Sequence, residues 1–180
     1  MRKIFLCFLV CTAALTTKAQ TIANAPSTSA VKWYTIEEAQ ALNAKAPRKF
    51  FIDMYTDWCG WCKVMDNKTF SQPDIAQYLN TYFYPVKFDA EGKAPAIFAD
   101  QTFNYNAQYR CHELAATLMQ GKMNYPTVVF LYENLHLLTI VPGYLAPENL
   151  RPILVFFAQN HYQNMSWEDF LKQWPDILKR

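Results

Sequence analysis

The apolar run Lys49-Phe50-Phe51-Ile52-Asp53-Met54-Tyr55 leads almost directly into Trp58-Cys59-Gly60-Trp61-Cys62-Lys63. The run lacks polar alternation, which reads as a strand covered on both faces, in a sheet sandwiched between helices. A helix-like stretch begins near Cys59. Two cysteines two residues apart at a strand-to-helix junction place both sulfurs on the first helical turn. There the unpaired backbone N–H groups and the helix dipole favour a thiolate over a thiol. A thiolate beside a second thiol is a device for making, breaking or passing on disulfides.

Residues 1–19 read as an export signal. Arg2 and Lys3 form a basic head, Ile4 to Leu15 is apolar, and Thr17-Lys18-Ala19 fits a cleavage site before Gln20. The apolar stretch is shorter than the ~20 residues needed to span a bilayer. Val10, rather than a small residue, precedes Cys11 and argues against a lipid anchor there. Removing Arg2, Lys3 and Lys18 turns 17 basic against 15 acidic side chains into near balance. Such a protein has no electrostatic case for nucleic acid or an anionic membrane. Of five cysteines, Cys7 and Cys11 leave with the signal. Cys59, Cys62 and Cys111 remain, which is one spaced pair and one bystander rather than a disulfide scaffold.

Residues 20–32 read as a flexible lead-in. Thr35-Ile36-Glu37-Glu38 is a capping box for a helix to Ala46 that buries Ile36, Ala39 and Leu42. Pro73-Asp74 opens another helix, with Ile75, Tyr78 and Leu79 inward. Tyr84 to Asp89 reads as a second strand, parallel to the first through a right-handed crossover. A small hairpin or ordered loop is expected at 96–105. A helix is expected over 108–119, with Cys111, Leu114, Ala115 and Leu118 on one side. An antiparallel hairpin follows at 127–141, then a core helix at 150–160. A tail helix capped by Ser166 and Asp169 carries Trp167, Phe170, Leu171 and Trp174, and is expected to end at Pro175.

This order of elements, with Trp-Cys-x-x-Cys-Lys after the first of the two parallel strands, resembles the thioredoxin superfamily. The stretch from Trp33 to Asp89 is similar to exported thioredoxin-like domains related to the C-terminal domain of the bacterial membrane thiol:disulfide interchange protein. The resemblance implies an α/β thioredoxin-like fold. Its central mixed sheet has four or five strands flanked by helices, here with an extra C-terminal helix. It implies a domain at 33–163 and a helical tail at 164–180.

It also implies roles. Cys59 is the nucleophile, exposed in the family and of lowered pKa. Cys62 resolves the mixed disulfide. Asp53 matches a buried acid that assists proton transfer at the second cysteine, and Lys87 resembles the lysine that pairs with it. The alternative for Asp53 is a solvent-facing place near a sheet edge. Pro126 matches the family's cis-proline, whose preceding backbone pairs with the substrate chain. Tyr125 departs from the small or β-branched residue usual there, and a ring there narrows the peptide groove. Trp58 matches a residue that packs to hold the loop. Gly60 and Trp61 lie between the cysteines, where thioredoxins usually carry Gly-Pro, so Trp61 is either a docking surface or packing. Cys111 is a buried inert thiol or a third redox thiol, and the tail stripe is core packing or a partner site.

Zinc would need two ligands beyond the pair. Cys111 and His112, as neighbours on a helix, point roughly 100° apart and make a poor set. Position 63 is Lys, not the His of covalent haem attachment. No cofactor is therefore expected. The reading is an exported, periplasmic or secreted thiol–disulfide oxidoreductase that reduces protein disulfides and is recharged by a membrane electron donor. The alternatives are a binding module on the same fold with little redox turnover, or an oxidant or isomerase using the same pair.

Overall fold

Capping chemistry and apolar runs lay out the chain in the computed structural model, which describes residues 30–177. The signal read at 1–19 and most of the lead-in lie outside the described residues. Helix α1 (Ile36–Asn43) is opened by the capping box. The Glu38 N–H donates to Thr35 Oγ1 at 3.2 Å, and the Thr35 N–H donates to the Glu38 carboxylate at 2.9 Å. Ile36 and Ala39 are buried and Leu42 is partly so, packed on the core. The helix stops at Asn43, short of Ala46, and the Asn43 side chain turns to accept from the Arg48 N–H.

Strand β1 (Lys49–Tyr55) is central. From it the chain passes through α2 (Gly60–Met65), a π-helical turn at Asp66–Phe70 and α3 (Pro73–Tyr82). It returns as β2 (Phe83–Asp89), parallel to β1, with Asp53 opposite Lys87. Proline at the first position of α3 suits a site whose N–H would have no helical partner anyway.

A small hairpin follows, β3 (Ala96–Phe98) with β4 (Gln101–Phe103). The helix expected over 108–119 is not continuous. Tyr105–Asn106 (β5) pairs with Cys111–His112 (β6), and only Glu113–Leu118 (α4) is helical. Two local features stop a helix from starting at 108. Asn106 Oδ1 accepts from the Gln108 and Tyr109 N–H groups, closing an Asx turn, and Arg110 sits at φ 54°. Strands β7 (Thr127–Leu131) and β8 (Leu137–Pro142) form the antiparallel hairpin. The sheet order is β2-β1-β7-β8. The chain then forms α5 (Pro147–Ala158) and α6 (Trp167–Ile177). Helix α6 runs through Pro175 instead of ending there. In a last turn, proline removes only one helical hydrogen bond.

Both faces of the sheet are covered, which is why β1 shows no alternation. Phe50, Ile52 and Met54 join Tyr84, Val86, Phe88, Leu114 and Leu118 on one side. Phe51 joins Phe70, Phe83, Phe130, Leu150 and Leu154 on the other. Its ring meets those of Phe130, Phe70 and Phe83 at 5.3, 5.8 and 6.4 Å, at angles near the edge-to-face arrangement aromatic pairs prefer. Helix α6 closes the far side: Phe170 is fully buried, and Trp167 and Phe170 pack on Phe156. Leu171 stays largely outside.

Phe51→Ala empties the centre of this second layer. The expected loss is about 3–5 kcal/mol of unfolding free energy, measured by urea denaturation. A loss under about 1 kcal/mol would mean the layer collapses onto the gap or is not the main core.

Candidate active site

The site begins where β1 ends. The Cys59 N–H donates to the Thr56 carbonyl at 3.1 Å, folding the chain into a turn that sets Cys59 at the N-cap of α2. Cys59 and Cys62 are joined by a disulfide, with Cα atoms 5.3 Å apart. The Cys62 N–H donates to the Cys59 sulfur at 3.1 Å, so an otherwise unpaired helix-start donor points at that atom. Cys59 is only 4% exposed, against the exposed first cysteine that the resemblance implied. In the disulfide form its sulfur is turned in against the helix start. Cys62 is buried too.

Those tryptophans stand out on the surface. Trp58 is 67% exposed and Trp61 is 62% exposed. Trp58 is held in place from two sides. Its indole N–H donates to Glu91 at 2.9 Å, and its ring meets Tyr125 at 5.9 Å, edge to face. Trp61 leans on Tyr144, with ring centroids 5.3 Å apart. Each tryptophan of the motif thus rests on a tyrosine from another part of the chain. Gly60 has open space around it. The Tyr125–Pro126 peptide bond is cis, and Pro126 precedes β7. Burial first, then Glu91, pushes the Tyr125 hydroxyl up to about 12.

Asp53 lies on β1, between β2 and β7, and is 1% exposed, so it does not face solvent at a sheet edge. By strand alternation it shares the side of Phe51, the side covered by α3 and α5. Lys87 Nζ donates to Asp53 Oδ2 at 2.6 Å, while Oδ1 has no hydrogen-bond partner among the described residues. Thr56 Oγ1 is in the same condition. Burial raises the Asp53 carboxyl from 3.8 to about 6, against the pull of Lys87. Burial draws the Lys87 ammonium down, but Asp53 and Asp66 together outweigh it and hold it above its usual range. The two directions agree: Asp53 is enclosed with one cation, whereas Lys87 is partly open and has two carboxylates.

Three members of this surround left no usable trace in the sequence: Glu91, Tyr144 and Thr56. Asp66 alone gave a hint, because it stands one helical turn after Cys62 and so shares its face. Cys111 is a free, buried thiol, but it lies on β6 and not on a helix face. Burial, then Glu91 and Glu113, pushes its thiol up, away from reactivity. His112 is buried: Nδ1 accepts from the Leu114 N–H at 3.1 Å, and Nε2 lies 3.2 Å from the Ala94 carbonyl. Among the described residues, no group of three His, Cys, Asp or Glu is placed to hold a metal ion, and no helix is long and apolar enough to cross a membrane.

Comparison with known proteins agrees with this geometry. A family model, Thioredox_DsbH, described as a protein of unknown function (DUF255), matches residues 14–169. A thiol:disulfide interchange protein DsbD from Pectobacterium atrosepticum is 36% identical over 56 residues, 29% of this chain and 10% of that protein. The chain thus spans about a tenth of the length of the curated relative it matches. A DsbH oxidoreductase of solved structure shares the fold at 15% identity and a TM-score of 0.52, over 82% of this chain and 94% of that one. A thioredoxin-fold protein from Helicobacter pylori does so at 13% identity and a TM-score of 0.56, over 86% and 93%.

The Asp53 shift has a consequence for stability. A carboxyl that holds its proton more tightly folded than unfolded costs stability as pH rises from about 4 to about 6. A rise of that size corresponds to roughly 3 kcal/mol. Asp53→Asn should match wild type near pH 4 and exceed it by roughly 1–3 kcal/mol at pH 7.5, measured by urea unfolding at both pH values. A difference that does not change with pH would contradict the burial assigned to this group.

Proposed function

The chain belongs to the Thioredox_DsbH family, and from that premise we propose that it is an exported thiol–disulfide oxidoreductase that reduces protein disulfides. The observation that carries the reading is the Cys59–Cys62 pair at a helix start, with a backbone N–H aimed at the Cys59 sulfur. Once the pair is reduced, that donor and its neighbours favour a thiolate at Cys59. The thiolate attacks a substrate disulfide, a Cys59–substrate bond forms, and the other substrate sulfur leaves and takes a proton from water. Cys62 then gives its proton to Asp53 and attacks the Cys59 sulfur. The Cys59–Cys62 bond forms, the second substrate sulfur leaves as a thiolate that takes a proton from water, and Asp53 gives its proton back to solvent.

Support for Asp53 in this role comes from its proton affinity, since a base acts best near the working pH. Asp66, the C-cap of α2, stands one turn after Cys62 and meets Lys87, the partner of Asp53. Lys87 keeps the carboxylate charged enough to accept. Trp58, Gly60, Trp61, Tyr125 and Pro126 form the ledge along which the substrate chain lies. Each turnover leaves the pair oxidised by two electrons, so a dithiol donor must recharge it. For a protein exported by the leader read at 1–19, that donor is a membrane protein. The domain at 33–163 carries this chemistry, and the tail at 164–180 caps it.

One observation favours a second reading. Two tryptophans more than half exposed suit a binding module that holds partner proteins with little redox turnover. Reduction of insulin disulfides separates the two. Cys59→Ser should bring turnover to background, and Cys62→Ser should accumulate a mixed disulfide visible by mass. Asp53→Asn should slow turnover at pH 7 on the order of 10-fold or more while leaving the fold intact. Equal, negligible rates for wild type and Cys59→Ser would leave the binding module. An unchanged Asp53→Asn rate would remove Asp53 from the mechanism.

A further inference from the structure

Three apolar or aromatic side chains from two parts of the chain form a patch at the cysteine motif. Trp61 is 62% exposed, and Val64 on the next turn of α2 is 36% exposed. Residues three apart on a helix are surface neighbours, so these two adjoin. Tyr144 completes the patch, with its ring centroid 5.3 Å from that of Trp61. Tyr144 is itself held between two anchored neighbours. The Gly143 N–H donates to the Pro126 carbonyl at 2.8 Å, and the Leu145 carbonyl accepts from the buried Thr69 hydroxyl at 2.7 Å. Gly143 sits at φ 94°, a conformation that residues with side chains rarely adopt. One turn thus ties the ring against Trp61 to the proline that heads β7. Rings fixed in advance lose little freedom when a partner binds.

Two observations choose the occupant of this patch. Cys59 is only 4% exposed, while Trp61 stands well out. A nucleophile covered to that degree suits a partner that arrives as a thin, extended chain, not one whose disulfide is fixed in a folded surface. The second observation is charge. Trp58 donates to the carboxylate of Glu91. Burial first, then charges that include Glu91 and Asp89, push the Tyr125 hydroxyl up, so negative potential marks that side of the site. A small anionic disulfide such as oxidised glutathione is repelled there and offers the rings nothing apolar.

We propose that Trp61 and Tyr144 determine specificity: together they form a subsite for an aromatic or large aliphatic side chain next to the substrate cysteine. The substrates it selects are disulfides of unfolded chains. Cysteines of protein interiors have apolar neighbours, and unfolding uncovers them. The inference rests on the reading above, in which Cys59 attacks a substrate disulfide. It adds which disulfides are taken: those whose flanking residue can lie against the two rings.

The test compares two synthetic peptides, each closed by one disulfide and differing only at the residue beside a cysteine, Phe in one and Ser in the other. Oxidised glutathione is the anionic control. Wild type should reduce the Phe peptide with a kcat/KM about 3- to 10-fold above that for the Ser peptide, mainly through KM. Glutathione should be slower than either. In Trp61→Ala and in Tyr144→Ala the Phe-to-Ser ratio should fall to about one, and Trp61→Phe should restore most of it. A merely structural role would slow both peptides together and leave the ratio alone. Equal wild-type rates on the two peptides overturn the proposal, as does a ratio that survives in Trp61→Ala or in Tyr144→Ala. Glutathione reduced faster than the Phe peptide also overturns it. If neither peptide is reduced but the Phe peptide binds more tightly, and Trp61→Ala removes that preference, the subsite stands and the oxidoreductase reading falls.

Discussion

A single backbone donor, the N–H of Cys62, directed at the sulfur of Cys59, is the contact on which the proposed chemistry depends. It exists because a strand stops and a helix starts within a few residues, and helix starts leave N–H groups unpaired. Everything around that junction holds it still. Strand β1 is bracketed by β2 and β7, so its end cannot drift sideways. The Thr56 carbonyl accepts from Cys59 and fixes the turn. Apolar layers clamp both faces of the sheet.

Against that apolar background, the carboxyl of Asp53 is an expensive object. A buried charge is tolerated when it is paired, and one that serves only stability is readily replaced by an apolar side chain. Here one oxygen is paired with Lys87 and the other has no hydrogen-bond partner among the described residues. The fold supplies the pairing through register, since parallel alignment of β1 and β2 sets Asp53 against Lys87. Electrostatics at the site therefore follow from strand pairing, and strand pairing follows from the two apolar runs.

The frame was legible in the sequence because its signals are strong and local. The capping box at Thr35, the two apolar strands, the hairpin at 127–142 and the proline opening α3 each carry one physical meaning. The 108–119 segment was not, because apolar spacing there fits a helix while an Asx turn at Asn106 and the positive φ of Arg110 dictate a strand pair. Around the cysteines, residues inside the motif could be named, but their surroundings could not. Glu91 reaches Trp58, and Tyr144 reaches Trp61, across long stretches of chain with no pattern linking them. The partnership of Asp66 with Lys87 depends on a π turn that no spacing rule announces.

The account stands or falls on whether that one sulfur ionises easily. The direct measurement is the pH dependence of Cys59 alkylation by iodoacetamide in the reduced Cys62→Ser, Cys111→Ser protein. The account expects a midpoint at or below about 7, well under the ~8.5 of a free thiol. A midpoint at or above about 8.5 would mean that the helix start does nothing for the thiolate, and the proposed chemistry would have no source.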